Sequence, residues 1–234
     1  MAPSDRQPRA PLRIAVLASG RGSNLQAILD AIAAGVLDAT VAGVFSDKAR
    51  APVLDRARAA GIEANALLPR EFPNRLAFDA AMFDAVEHAA PDLVVCAGFM
   101  RLISQPQVSR MAGRMVNIHP SLLPAFKGLH THQQALDAGV TEHGASVHFV
   151  TPELDGGPVI AQARVPVLAG DDADRLAARV LEREHPLLVE VLRGFAAGRF
   201  ALEGGRVSVD GMAIHAPLQL GLDNALTPAP HPVA

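Results

Sequence analysis

Short apolar runs alternate with helix-length amphipathic stretches through the first half of the chain, and that rhythm leaves few folds open. Residues 12–18 are apolar and bounded by Pro11 and by Ser19-Gly20-Arg21-Gly22, which reads as a buried strand entering a turn. Residues 23–34 follow with Leu25, Ile28, Leu29 and Ile32 on one helical face, and Gly35 closes the helix. The pattern repeats as a strand over 41–45, a helix over 52–60 ended by Gly61, a strand over 62–67, a helix over 75–88 and a strand over 93–97. Such alternation predicts βαβ units with right-handed crossovers. The fold class is therefore α/β: a Rossmann-like, mostly parallel sheet with helices on both faces. Strands that are apolar throughout fit it, because both of their sides are covered.

The second half changes character after Asn117-Ile118-His119. Residues 120–129 are rich in Pro and Gly, 144–150 alternate as a half-buried strand does, and 158–167 read as another strand. A turn at Asp155-Gly156-Gly157 between them predicts an antiparallel hairpin, and so an antiparallel extension of the sheet. Residues 171–197 predict a long helix with Leu176, Val180, Leu187, Val191 and Phe195 on one face and a bend at Pro186. Residues 199–209 suit a short terminal hairpin. A polar, Pro-rich lead over 1–11 and a tail over 211–234 are expected to be disordered and flexible, leaving one domain over 12–210.

Composition excludes several functions. The 234 residues carry a formal net charge of −3 and no Trp or Tyr, so no basic stripe or stacking platform for nucleic acid is expected. Cys96 is the one cysteine, which rules out a disulfide within the chain; it lies in an apolar run and reads as a core thiol. No run approaches the ~20 apolar residues of a membrane helix, and the first residues lack a signal-peptide core. A soluble, cytoplasmic protein with no membrane partner is expected.

Four segments carry candidate chemistry. Ser19-Gly20-Arg21-Gly22-Ser23-Asn24 joins the first strand to the first helix, where small residues and free N–H groups can cradle a phosphate, or simply make a turn. A dinucleotide fingerprint would need a glycine where Leu25 stands, although Asp47 is placed as a ribose-binding acid; no Gly-Lys-Ser/Thr is present either. Asn117 and His119 alternate onto one side of a strand that ends at Pro120, at the sheet edge where ligands bind in open α/β folds. Leu154-Asp155-Gly156-Gly157-Pro158 holds one carboxylate on a tight loop. His130-Thr131-His132 suggests a metal pair, but without a second cysteine or a His-Glu-x-x-His helix a polar rim is the better reading, and no metal is expected.

Ser19–Ala27, Ala97-Gly98-Phe99-Met100-Arg101, Asn117-Ile118-His119-Pro120-Ser121-Leu122-Leu123-Pro124 and Leu154–Pro158 occur in that order. Together they closely resemble the folate-dependent glycinamide ribonucleotide transformylases, within the wider formyltransferase family, over about residues 13–199. The resemblance implies formyl transfer from 10-formyltetrahydrofolate, as co-substrate, to the amine of glycinamide ribonucleotide. It implies that Gly22, Ser23 and Asn24 hold the substrate phosphate and that Glu184 contacts its glycinamide end. Met100, Arg101, Leu102 and Ile103 would line the folate pocket, Arg75 would meet the folate tail, and Asn117 would bond the formyl oxygen and border the folate. It also divides the domain into a phosphate-binding half (12–112) and a folate and catalytic half (113–210), and implies small-molecule substrates and a monomer or homodimer.

The chemistry suits those roles. Amine attack on a formyl carbon builds an oxyanion that Asn117 and a protonated His119 can stabilise, with Asp155 favouring the imidazolium. Leu181 departs from the pattern, standing one turn before Glu184 where a polar contact is expected, as does Pro186 after His185. The alternative is a 10-formyltetrahydrofolate hydrolase, in which water replaces the amine.

Overall fold

The structure is a computed structural model that describes residues 10–229. Of the lead expected over 1–11, only Ala10 and Pro11 therefore lie within the described residues. The first half is β1 (Leu12–Leu17), α1 (Ser23–Ala33), β2 (Ala39–Ser46), α2 (Pro52–Ala59), β3 (Ala64–Ala66), α3 (Arg75–His88) and β4 (Leu93–Cys96). The second half is α4 (Gln105–Arg110), β5 (Met115–His119), α5 (Thr131–Asp137), β6 (Glu142–Phe149), β7 (Val159–Pro166) and α6 (Ala173–Ala196), then β8 (Phe200–Glu203), β9 (Arg206–Val209), β10 (Met212–Ala213), β11 (Leu218–Leu220) and β12 (Leu226–Thr227).

Among the described residues nine strands form one sheet in the order β12-β11-β7-β6-β5-β4-β1-β2-β3, and β8, β9 and β10 form a second. Strands β3, β2, β1, β4 and β5 are mutually parallel, and β6 runs antiparallel to both β5 and β7. The expected parallel sheet with an antiparallel extension is thus the observed one. Chain order reverses between β1 and β4, and the crevice beyond the carboxyl ends of such strands is where ligands bind.

β1 shows why the sheet sits at the centre. Ile14 and Val16 point into one core with Leu25 and Ile28 of α1 and Val191 of α6, while Ala15 and Leu17 point into another with Phe78 and Phe83 of α3. Each fully buried Leu or Phe is worth ~1.5–3 kcal/mol, so a strand apolar on both sides is stable only with a helix layer on each.

Three expectations need correction. Helices α4 and α5 were not anticipated, being too short to show a hydrophobic period; α5 takes up Thr131 and His132, which had read as loop. β6 and β7 pair as expected, but they are joined by the long segment 150–158 rather than by a tight turn. α6 runs from Ala173 to Ala196 with Pro186 inside it, and Leu187, Leu188 and Val191 beside that proline are wholly buried. The segment from 211, expected as a tail, carries three strands: β10 joins the small sheet, and β11 pairs in parallel with β7 and buries Leu218 and Leu220. Its alternation is too brief to read in the sequence. Residues 230–234 lie outside the described residues.

Gly144 in β6 approaches β7 so closely that an added Cβ would lie 1.9 Å from the Ala163 carbonyl oxygen. Gly144→Ala must therefore separate two central strands. It is expected to cost ~1–3 kcal/mol, the usual range for overpacking a core, read as a lowered midpoint of urea unfolding.

Candidate active site

The register of β5 against β6 assembles the site. Asn117 pairs with His148 and His119 with Ser146 across the two strands. A register shift between Val147 and His148 lies in the same stretch of β6, and such irregularities re-aim side chains. The His148 Nδ1 is 2.9 Å from the Phe149 carbonyl, which fixes the proton on that nitrogen. Nε2 is then free to accept from the Asn117 amide at 3.1 Å.

The chain after His119 is folded back by buried polar groups. The Ser146 hydroxyl donates to the Ser121 carbonyl at 2.7 Å and accepts from the Leu123 N–H at 3.0 Å. Gln162 donates to the Leu123 carbonyl at 2.9 Å, and Ser121 Oγ to the Ala125 carbonyl at 2.7 Å. This places the carbonyl of Phe126, whose backbone is left-handed (φ 54°), 3.0 Å from His119 Nε2. From the other side, segment 150–158 delivers Asp155, also left-handed (φ 45°). Its Oδ2 accepts the Gly128 N–H at 2.9 Å and lies 3.6 Å from His119 Nδ1, while Oδ1 lies 3.6 Å from His148 Nε2. Both nitrogens of His119 therefore face acceptors.

Charge follows from burial. Burial pushes the His119 pKa below the ordinary imidazole value; the Phe126 carbonyl and Asp155 oppose this without reversing it, and His148 adds to it. Desolvation thus outweighs the pull of one carboxylate at 3.6 Å toward the imidazolium. Burial works against the charge of Asp155, but the His148 imidazole 3.6 Å away, the hydrogen bond from the Gly128 N–H and the nearby His119 together hold its pKa below the usual value.

These groups line a cavity of about 600 Å³, within the ~300–1,000 Å³ of sites that enclose a drug-sized ligand. Asn24, from the first turn of α1, and Glu184 of α6 also line it, with the Asn24 amide donating to Glu184 Oε1 at 2.6 Å. The Asn24 Oδ1 is buried and has no partner, so an acceptor is left over for a ligand. Burial raises the Glu184 pKa against that hydrogen bond. Met100, Arg101, Leu102 and Ile103 line the cavity too, and the Arg101 guanidinium lies 5.0 Å above the Phe78 ring. Cys96 also touches the cavity, but burial pushes its thiol up to about 12, so it is no nucleophile at neutral pH.

The structure thus brings together Asn24, Met100, Arg101, Leu102, Ile103, Asn117, His119, Asp155 and Glu184. It does not bring Gly22, Ser23 or Arg75 into the cavity lining. Gly22 caps α1 with φ 76°, packed so tightly that an added Cβ would meet Val53 at 2.7 Å. No side chain caps that helix start, so the Ser23 hydroxyl and the first-turn N–H groups are not used up in capping. Arg75 is exposed at the start of α3, one turn before Phe78. Leu181 is also outside the lining. Asp47, weighed as a ribose-binding acid, instead accepts from Ser19 Oγ at 2.6 Å, and Ser19 Oγ in turn accepts the Met100 N–H at 2.9 Å. Sequence reasoning missed the Phe126 carbonyl and the Gly128 N–H, which are backbone groups without a residue signature. Pairing the expected strands residue by residue would have set His148 opposite Asn117. Among the described residues no group of three or more His, Cys, Asp or Glu is set to hold a metal.

A family model described as formyl transferase matches residues 12–192. The chain belongs to the formyl transferase family. It is 52% identical to the phosphoribosylglycinamide formyltransferase of Escherichia coli (strain K12) over 203 residues, covering 87% of this chain and 96% of that protein. The solved phosphoribosylglycinamide formyltransferase of Coxiella burnetii superposes with a TM-score of 0.84 at 46% identity, covering 87% of this chain and 96% of that one. A formyltetrahydrofolate deformylase from Pseudomonas syringae shares the fold more distantly, with a TM-score of 0.78 at 26% identity over 85% of this chain and 66% of the deformylase.

In this formyl transferase a second histidine pair stands behind the first. His132 Nδ1 and His143 Nε2 are 3.1 Å apart, and the Phe126 ring meets His143 edge-on. Burial, then His132 and His119, depress the His143 pKa from 6.5 to about 4. The unfolded chain therefore binds this proton first, and stability complete above pH 6.5 is lost as pH falls toward about 4. His143→Gln is expected to flatten the pH dependence of urea unfolding across that window; a slope as steep as wild type would assign the loss to other groups.

Proposed function

We propose that this chain transfers a formyl group from 10-formyltetrahydrofolate to the amine of glycinamide ribonucleotide in purine biosynthesis. One observation carries the reading: Asn117, His119 and Asp155 line the same cavity as the hydrogen-bonded Asn24–Glu184 pair. A hydrolase needs only the first set. Phosphoribosylglycinamide formyltransferases match nearly end to end, while the deformylase is the distant neighbour.

In this reading Gly22, Ser23 and Asn24 bind the substrate phosphate at the uncapped start of α1. Glu184, held by Asn24, meets the glycinamide end. Met100, Arg101, Leu102 and Ile103 enclose the folate, and Arg75 offers its charge to the folate tail. One Asn117 amide hydrogen is bound by His148, which directs the other at the formyl oxygen, where an oxyanion develops. Neutral His119 takes the proton of the attacking amine. The resulting imidazolium lies between the Phe126 carbonyl and Asp155, two acceptors that stabilise it only once it is charged. His119 then gives its proton to N10 as the tetrahedral intermediate collapses. No acyl-enzyme is formed and no metal is needed. Small-molecule substrates only, a cytoplasmic location and a monomeric or homodimeric state complete the proposal; no helix among the described residues is long and apolar enough to cross a membrane.

His119→Ala and Asp155→Asn are each expected to lower kcat by about 10²–10⁴, the range for losing a positioned proton carrier or a charge-stabilising group, with circular dichroism unchanged. The acid limb of kcat/KM should have its midpoint below pH 6.5 and move lower in Asp155→Asn, because Asp155 raises the His119 pKa. Loss of the formyl group from 10-formyltetrahydrofolate should require glycinamide ribonucleotide; equal rates with and without it would establish the hydrolase instead.

A further inference from the structure

Arg183 precedes Glu184 on α6, and its guanidinium is gripped by the turn between β11 and β12. Nη1 donates to Asn224 Oδ1 at 2.9 Å, and Nη2 to the carbonyls of Gly221 at 2.6 Å and Leu220 at 3.3 Å. The turn is itself built to present those acceptors. Asn224 is left-handed (φ 61°), the Asp223 carboxylate accepts the Ala225 N–H at 3.0 Å, and Gly221 and Ala225 are joined through their backbones at 2.9 Å. β11 is anchored by its pairing with β7 and by buried Leu218 and Leu220. The gripped turn of α6 is also the one its own hydrogen bonds hold least well, because Pro186 has no N–H to offer the Glu182 carbonyl. On the next position around the helix, Glu184 reaches the opposite way to Asn24.

We propose that the β11–β12 hairpin is a positioning element for acceptor binding, acting through Arg183 to hold Glu184 against Asn24. This rests on the assignment of Glu184 to the glycinamide end of the acceptor. Arg183 touches no substrate; it fixes the helical turn that carries Glu184. Losing it should therefore weaken acceptor binding while leaving the formyl chemistry at His119 in place.

The test compares full-length wild type, Arg183→Ala, Arg183→Lys, Asn224→Gly and Glu184→Gln for kcat, for KM of glycinamide ribonucleotide and of 10-formyltetrahydrofolate, and for Tm. Arg183→Ala is expected to raise the acceptor KM about tenfold or more, with kcat and the folate KM within about threefold, the pattern of lost ground-state binding. Arg183→Lys, with a compact charge in place of the fork, should fall between it and wild type. Asn224→Gly keeps the left-handed backbone and removes one acceptor, so a rise of about two- to threefold is expected, which tests the idea even if Arg183→Ala does not fold. An unchanged acceptor KM in the Arg183 variants, beside a lowered Tm and a raised acceptor KM in Glu184→Gln, overturns this inference alone. An unchanged acceptor KM in Glu184→Gln overturns the underlying assignment and this inference with it.

Discussion

The pairing of β5 with β6 is the constraint on which the site depends. It sets Asn117 opposite His148 and His119 opposite Ser146. Strand side chains alternate, so a slip of one residue would turn Asn117 and His119 into the core and Ile118 out of it. The slip is opposed from both sides of the strand pair, because Val116, Val147 and Phe149 are wholly buried and Ile118 nearly so. The polar network through Ser146 and Gln162 then depends on the same register. It holds the chain after His119 so that the Phe126 carbonyl meets the imidazole. Hydrophobic packing thus determines where the hydrogen bonds of the site can form.

The site is electrostatically restrained in its free form. His119, His132 and His143 all have depressed pKa values, chiefly through burial, and Asp155 supplies the compensating negative charge. A permanently charged imidazole here would have to be desolvated at all times. A neutral one between two acceptors acquires its charge only when a proton arrives, and is stabilised at that moment. The left-handed backbones of Phe126 and Asp155 are the conformational cost of aiming those acceptors.

Much of this was legible in the sequence, and the reasons differ by residue. Strands β1 and β4 declared themselves because buried parallel strands are short and apolar. Asn117 and His119 could be put on one face by alternation alone. Helices α4 and α5 could not be found, since six or seven residues hold too little periodicity to separate helix from loop. The downward direction of the His119 pKa was not legible because a sequence shows the carboxylate but not the burial. The Phe126 carbonyl and Gly128 N–H carry no side-chain signature, and β11 and β12 are too short to stand apart from a Pro-rich tail.

In the proposed mechanism the trio of Asn117, His119 and Asp155 acts on a formyl carbon whatever attacks it. Selection between an amine and water must therefore lie elsewhere in the cavity. The Asn24–Glu184 part of the lining is a different kind of structure: a carboxylate with a raised pKa, a buried amide with one oxygen unpartnered within the protein, and an uncapped helix start close by. Those groups are poorly satisfied by the protein itself, and a buried group without a partner costs ~1–3 kcal/mol. A molecule with a donor for Asn24, a polar amide end for Glu184 and an anion for α1 would relieve all three together, which water cannot do. In the proposed reading it is these groups that would favour a phosphorylated amine over solvent.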